Sequence, residues 1–288
     1  VDDPNLALEF DGGINYSGKE LQVNATAHLL GSNFKTLNLT NDLITASADF
    51  DLNCTGSNID NFSGYAKLFN IDLHRNMHKL DVDSIYVHST GENGRKQLTV
   101  QSNAVVGRIS GNYQLSKLPT SFQYYLSRYI PNYIKAPEKS APDQNFEFTV
   151  ATAEIDSILA VTVPILRGFN YATFTGSLNT NAQKLALNAH VPYGIIGNFK
   201  LRNVIVTGSG DLNMLGLNTS VDNVVVGDSL LNGSLSLTTT VGNDSIAFNL
   251  ATTSPDISSS MALNGQVVAR RDTLFMTLLP SQFFMNRN

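Results

Sequence analysis

The chain has 288 residues, a net charge of −5, 15% charged side chains, one cysteine and no tryptophan. That balance, without any dense basic run, excludes the electrostatic footprint of a nucleic-acid-binding protein, and a lone cysteine excludes both an intrachain disulfide and a cysteine-built metal cage. Charged residues fall short of the roughly 25% usual in soluble domains, and Asn, Ser, Thr and 21 glycines take their place, a palette of strands and turns rather than long amphipathic helices.

From the N-terminus, Phe10-Asp11-Gly12-Gly13-Ile14 introduces a phrase of apolar, any, glycine, any, apolar. It returns at 62–66, 109–113, 174–178, 231–235 and 263–267, around Gly64, Gly111, Gly176, Gly233 and Gly265. Residues two apart share one face of a strand, so each glycine leaves a bare spot between two apolar side chains. Glycine weakens a strand interior, and its usual warrant is a bend, a bulge or the close approach of another group. Leu21-Gln22-Val23-Asn24-Ala25-Thr26-Ala27-His28-Leu29 then alternates apolar and polar without a break, as a half-buried strand does. Cys54 falls in the apolar phase of the next alternation, which predicts a small buried hydrophobe. The same period recurs at Leu80-Asp81-Val82, Leu98-Thr99-Val100, Leu185-Ala186-Leu187-Asn188-Ala189 and Ile246-Ala247-Phe248-Asn249-Leu250. Turn residues at 16–19, 91–94, 208–210 and 242–244 separate these runs, and about twenty strands are expected at the spacing of antiparallel all-β folds.

One segment departs from this period. Phe122, Tyr125, Leu126, Tyr129 and Ile130 lie at helical spacing, Thr120-Ser121-Phe122-Gln123 has the form of a capping box, and Pro131 stops the run. The pattern predicts a short amphipathic helix near 120–130 whose apolar face plugs the end of a sheet or covers its inner surface. Positive charge for a membrane-surface role comes only from Lys117, Arg128 and Lys135. Residues 136–144 read as a linker or loop, so the domain reading is a β half over 1–135 ending in the helix, and a second β half over 145–288.

Catalytic signatures are weak. His74 and His78 are four apart in a segment of turn or strand character, without a carboxylate or cysteine at ligand spacing, so no metal site is expected. Asp49 with Asp51, and Asp81 with Asp83, lie in the polar phase of strands, and the missing tryptophan weighs against a sugar-cleaving pair. There is no Gly-x-Ser-x-Gly elbow and no phosphate-binding loop. No catalytic residue and no cofactor is expected, and the chain reads as a non-enzyme.

The stretch Leu80-Asp81-Val82-Asp83-Ser84-Ile85-Tyr86-Val87, a Gly-Glu-Asn-Gly turn, the strand from Leu98 through Ser102-Asn103 to Val106, then Ile109-Ser110-Gly111-Asn112-Tyr113-Gln114-Leu115 and the helix resembles a passage of the TamB family of translocation and assembly module proteins, in its Bacteroidetes-type form. Asn103 stands where that pattern carries an acidic residue. Leu185 to Tyr193, Asn203 to Val206, and Leu278 to Phe284 add weaker resemblance, so that it covers residues 60–288 and is most specific over 59–135. Family members are much longer, which makes this chain an internal fragment.

The resemblance implies an all-β, elongated, curled antiparallel sheet groove related to AsmA-like proteins, with lipid transport, outer-membrane biogenesis or protein secretion as the process served. It implies residence in the periplasm of a Gram-negative cell envelope, with an inner-membrane anchor outside the sequence. The implied partners are phospholipid acyl chains and an outer-membrane β-barrel assembly protein of the Omp85 type. On the residues themselves, the expected groove lining is the apolar phase: Leu21, Val23, Leu98, Val100, Leu185, Leu187, Leu235, Leu237, Phe248 and Leu250. A secreted or cell-surface β-rich adhesin would share the composition, and a β-solenoid hydrolase would need a stacked carboxylate cluster that the irregular repeat spacing argues against.

Overall fold

A computed structural model describes residues 2–16, 20–92, 95–138, 143–226, 229–231, 233–254, 259–270 and 273–285. Among the described residues the protein is mostly antiparallel β-sheet, 66% strand against 8% helix. The all-β expectation holds, and so does the short helix. The chain divides into two compact units, residues 1–111 with 150–171, and residues 112–149 with 172–288.

In the first unit β1 (Leu6–Asn15), β2 (Leu21–Asn33), β3 (Ile44–Gly56), β4 (Ser63–Arg75), β5 (Ser84–Glu92), β6 (Arg95–Ser102) and β7 (Val105–Asn112) each run antiparallel to the next. The second unit holds the start of β8 (Asn145–Thr152), then β9 (Thr173–Asn179), β10 (Lys184–Ile196), β11 (Phe199–Gly210), β12 (Leu215–Val226), β13 (Ser234–Gly242), β14 (Ser245–Ser254) and β15 (Ser259–Arg270). Both β16 (Thr273–Leu278) and β17 (Gln282–Met285) pair with β15. Successive pairing in chain order is what short turns between alternating runs dictate.

Turn chemistry explains two of the described reversals. Gly242 pairs with Ser245 around Asn243 and Asp244, both at positive φ (51° and 56°), as the tightest hairpin turn demands. The turn expected at Gly208-Ser209-Gly210 lies one step later. Those residues are the end of β11, and the chain reverses over 211–214, where the Asp211 carboxylate accepts the backbone N–H groups of Asn213 (2.7 Å) and Met214 (3.1 Å). The expected strand at 80–82 stops at Leu80, and Val82, only 3% exposed, is buried between strands. Of the turns read at 16–19 and 91–94, residues 17–19 and 93–94 lie outside the described residues, as do residues 139–142 of the expected linker.

Helix α1 (Leu118–Tyr129) belongs to the second unit, and α2 (Asp156–Thr162) to the first. The expected capping box is not formed. α1 begins at Leu118 with Pro119 in its first turn, which places Thr120 inside the helix, and the Ser121 hydroxyl donates back to Lys117 O (3.0 Å). α2 was not legible, because Ile155, Ile158, Leu159, Val161 and Val163 mix β-branched residues with too short a period. Its last carbonyls, Val161 and Thr162, are met by the Arg75 guanidinium, which also holds Asp42 through Nη2 at 2.6 Å and Nε at 3.1 Å.

Candidate functional site: one apolar sheet face in each unit

Register decides which side chains share a face, since directly paired residues point the same way. In the second unit the pairs run Leu178, Leu185, Gly210, Leu215, Val241, Ile246, Val267 and Met276 across eight strands. Two residues along lies a second row of Gly176, Leu187, Gly208, Leu217, Thr239, Phe248, Gly265 and Leu278. A third joins Phe174, Ala189, Val206, Thr219, Leu237, Leu250 and Leu263. The fourth joins Val191, Val204, Val221, Leu235, Thr252, Met261 and Phe283. Leu185, Leu187, Leu235, Leu237, Phe248 and Leu250 therefore stand together on a single face, and each is half-buried.

The first unit is built alike. One row is Gly12, Ala25, Leu52, Ala66, Val87, Val100 and Gly107, and the next is Ile14, Val23, Cys54, Gly64, Ser89, Leu98 and Ile109. Leu21, Val23, Leu98 and Val100 share this face and are likewise half-buried. Cys54 is a free thiol and half-buried, not the buried core residue expected, because its row lies on the same partly open face. Leu52, Val87, Leu217 and Leu263 belong with the expected lining and were missed, although the same alternation marks them.

The glycines of the repeated phrase do not leave this face empty. A Cβ on Gly176 would lie 2.6 Å from the Phe148 ring, and one on Gly265 would lie 2.5 Å from the Phe248 ring. Each glycine is the floor under a neighbouring aromatic ring, an arrangement known to help glycine-containing strands pair. Gly64 and Gly111 serve otherwise: their φ values of 132° and 135° lie where L side chains rarely go. Gly233 sits with its backbone so close to Thr253 that a Cβ would fall 2.2 Å from the Thr253 carbonyl oxygen.

The opposite faces are polar. In the second unit Thr175, Asn188, Thr207, Asn218, Thr238, Asn249 and Asn264 form a ladder of hydroxyls and amides. Thr238 donates to Asn218 (3.0 Å), Asn249 to Asn264, and Asn264 to Pro280 O (2.9 Å). Beside it lies a shallow depression of about 430 Å3, lined by Thr240, Ala247, Asn249, Asn264, Leu279 and Pro280 and by no ionisable group. In the first unit Asp11, Thr26, Asp51, Lys67, Tyr86 and Gln101 form one such row. Asp49 accepts hydrogen bonds from Asn70 (2.5 Å) and His28 (2.8 Å), which hold its carboxyl below the usual range.

α1 closes one end of the second unit's rows. The Tyr125 hydroxyl donates to Asn179 O (3.3 Å) and the Tyr129 hydroxyl to Asp211 O (2.6 Å), while Tyr129 O accepts the Asp244 N–H (2.9 Å). Asn179, Asp211 and Asp244 all lie at the strand ends beside the Leu178-to-Met276 row, so the helix lies across three hairpins at once. Tyr125 and Tyr129 are 1% and 2% exposed, and burial pushes the Tyr129 hydroxyl up to about 12 and raises Tyr125 as well. Phe122 and Leu126, expected on the same buried face, are 38% and 42% exposed instead. The tyrosines win the inner side because their hydroxyls can satisfy hairpin carbonyls that a phenylalanine or leucine would leave unpaired.

The two histidines considered for metal binding are not brought together by the fold. His74 and His78 stand on the two arms of a hairpin, with His74 bonded to Asp72 (3.2 Å) and His78 paired across from Arg75. His88 stacks on Tyr86 with ring centroids 6.1 Å apart. Among the described residues no three His, Cys, Asp or Glu side chains gather where they could hold a metal ion, and no helix is long and apolar enough to cross a membrane. Comparison of the chain with protein-family models, with curated proteins and with solved structures gives no match.

Proposed function

We propose that this chain is a non-catalytic segment of an envelope-spanning translocation and assembly module protein, and that the apolar sheet face of each unit carries lipid acyl chains through the periplasm in outer-membrane biogenesis or protein secretion. One observation carries the reading: rows of leucine, valine and phenylalanine stay aligned across strand after strand, most of them half-buried although Leu178, Val191 and Val221 are fully buried, with a polar ladder behind them. A closed core would bury those side chains, and a water-facing surface would not repeat them over eight strands.

The physical chemistry suits acyl chains. Each methylene taken from water onto such a face gains about 0.8 kcal/mol, with no polar group to match. Neighbouring strands repeat at about 4.8 Å, so similar apolar sites succeed one another and no single position traps the chain. The Thr219, Thr239 and Thr252 hydroxyls interrupt the rows and keep the face from becoming uniformly greasy. An outer-membrane β-barrel assembly protein at one end of the full-length protein would supply direction.

The test is photo-crosslinking of the 288-residue chain expressed in a Gram-negative host. A photoreactive residue at Leu237 is expected to capture phospholipid, and one at the adjacent Ser236, on the opposite face, is not. Absence of lipid at Leu237, or equal capture at both positions, would refute the reading.

A further inference from the structure

We propose, on the footing that acyl chains lie along the second unit's apolar face, that Thr219, Thr239 and Thr252 form a hydrogen-bonding subsite for the ester carbonyls of the lipid. Among the described residues these are the only polar side chains in the four apolar rows of that unit. Their positions converge. Thr219 pairs directly with Leu237, and Thr239 follows Leu237 by two residues on the same strand. Thr252 pairs with Leu235, two residues before Leu237, and so stands diagonally across from it. All three border one leucine from three adjacent strands, with Cβ atoms within about 8 Å of its own.

Each threonine is half-buried between apolar neighbours: Thr239 between Leu217 and Phe248, Thr219 between Val206 and Leu237, Thr252 between Leu235 and Met261. Among the described residues none of the three hydroxyls has a hydrogen-bond partner, and no side-chain oxygen is both buried and unpartnered. The three oxygens therefore stay accessible on a face that is otherwise hydrocarbon. Valine matches threonine in shape and strand preference, and it fills the nearby positions Val204, Val206 and Val221. Packing alone gives no reason for hydroxyls around Leu237.

Chemistry selects the occupant. A bare hydrocarbon chain laid over Leu237 strips water from three hydroxyls and returns no partner, which opposes binding there. A carbonyl oxygen accepts from a threonine hydroxyl and removes that penalty. No ionisable side chain stands in the rows, so a phosphate or a free carboxylate placed there would lose its water with no cation to meet it. The neutral ester group, joined directly to the acyl chain, avoids both costs. A diacyl lipid presents two such carbonyls side by side to the cluster of donors. The preference is shallow, so the subsite is a resting place for the lipid and not a trap.

The test is native mass spectrometry of the 288-residue chain in dodecyl maltoside, with an equimolar mixture of dipalmitoyl phosphatidylcholine and its diether analogue, which differs only at the two carbonyls. An ester preference of about 5-fold is expected, as one net hydrogen bond gives. The triple variant Thr219→Val/Thr239→Val/Thr252→Val should erase the preference and take up the ether lipid at least as well. Serine at the same three positions keeps the hydroxyls and should keep the preference, and Thr207→Val, on the polar ladder, should leave it unchanged. Circular dichroism confirms folding; the single valine variants, each expected to lower the preference, stand in if the triple variant unfolds. Equal uptake of both lipids by the unaltered chain, or an ester preference that survives in the valine variants, would overturn the subsite and leave the acyl-chain reading standing. Uptake of neither lipid would overturn both.

Discussion

A single missing methyl group sets the spacing of the second unit's apolar face. At Gly176 an added Cβ would lie 2.6 Å from the Ala186 carbonyl oxygen and 2.6 Å from the Phe148 ring, so both backbone and ring must move. Gly176→Ala is expected to cost ~1–3 kcal/mol, as overpacking of a well-fitted site does, and to lower Tm. Gly13 is the contrast: nothing lies within 4 Å of a Cβ there, and its partner is Asn24 on the polar face. Gly13→Ala should leave Tm unchanged or raise it slightly, since it only removes freedom from the unfolded chain. Thermal unfolding by circular dichroism compares the two directly. The repeated phrase made these glycines visible in the sequence. That an aromatic ring fills the space over Gly176 and Gly265 was not, because Phe148 lies 28 positions from Gly176 and reaches it only through strand pairing.

For elements, α1 shows how much periodicity conveys. Its existence, its approximate length and its stop before Pro131 followed from spacing, whereas its orientation did not. Five apolar residues at helical spacing define a broad face, and the tyrosine hydroxyls decide which part of it turns inward. They also predict alkaline sensitivity. The Tyr129 hydroxyl is held near 12 when folded, above its ordinary value of 10, because burial disfavours the phenolate, with Tyr125 and Asp211 adding to it. A raised folded pKa means that this contribution is complete below pH 10 and is lost as pH rises through about 12, where the unfolded chain releases the proton first. Tyr129→Phe should lower Tm at pH 8, through loss of a bond worth about 1 kcal/mol. It should also flatten the decline of Tm above pH 10. A melt series from pH 8 to 12 checks both.

At the scale of the whole molecule, stability is expected to depend little on salt. Only 15% of the residues are charged. Of the ion pairs among the described residues, Lys79–Asp72 is exposed, and Arg75–Asp42, which also closes the end of α2, is only partly shielded. Raising NaCl should therefore move Tm by less than about 3 °C, since screening acts on surface pairs worth little to begin with. A large fall in Tm would show that charge, not apolar pairing, holds the strands. The sequence by itself determined the class of the fold and the two faces of each sheet, because side chains alternate along every strand and an apolar residue at one position dictates the next two steps away. Leu237 with Leu250, and Val87 with Val100, follow that rule. Only the tertiary structure decided which strand lies beside which glycine, which side of α1 turns inward, and that the candidate lining residues form aligned rows. Those outcomes rest on register and on contacts between residues far apart in the chain, and no local period encodes them.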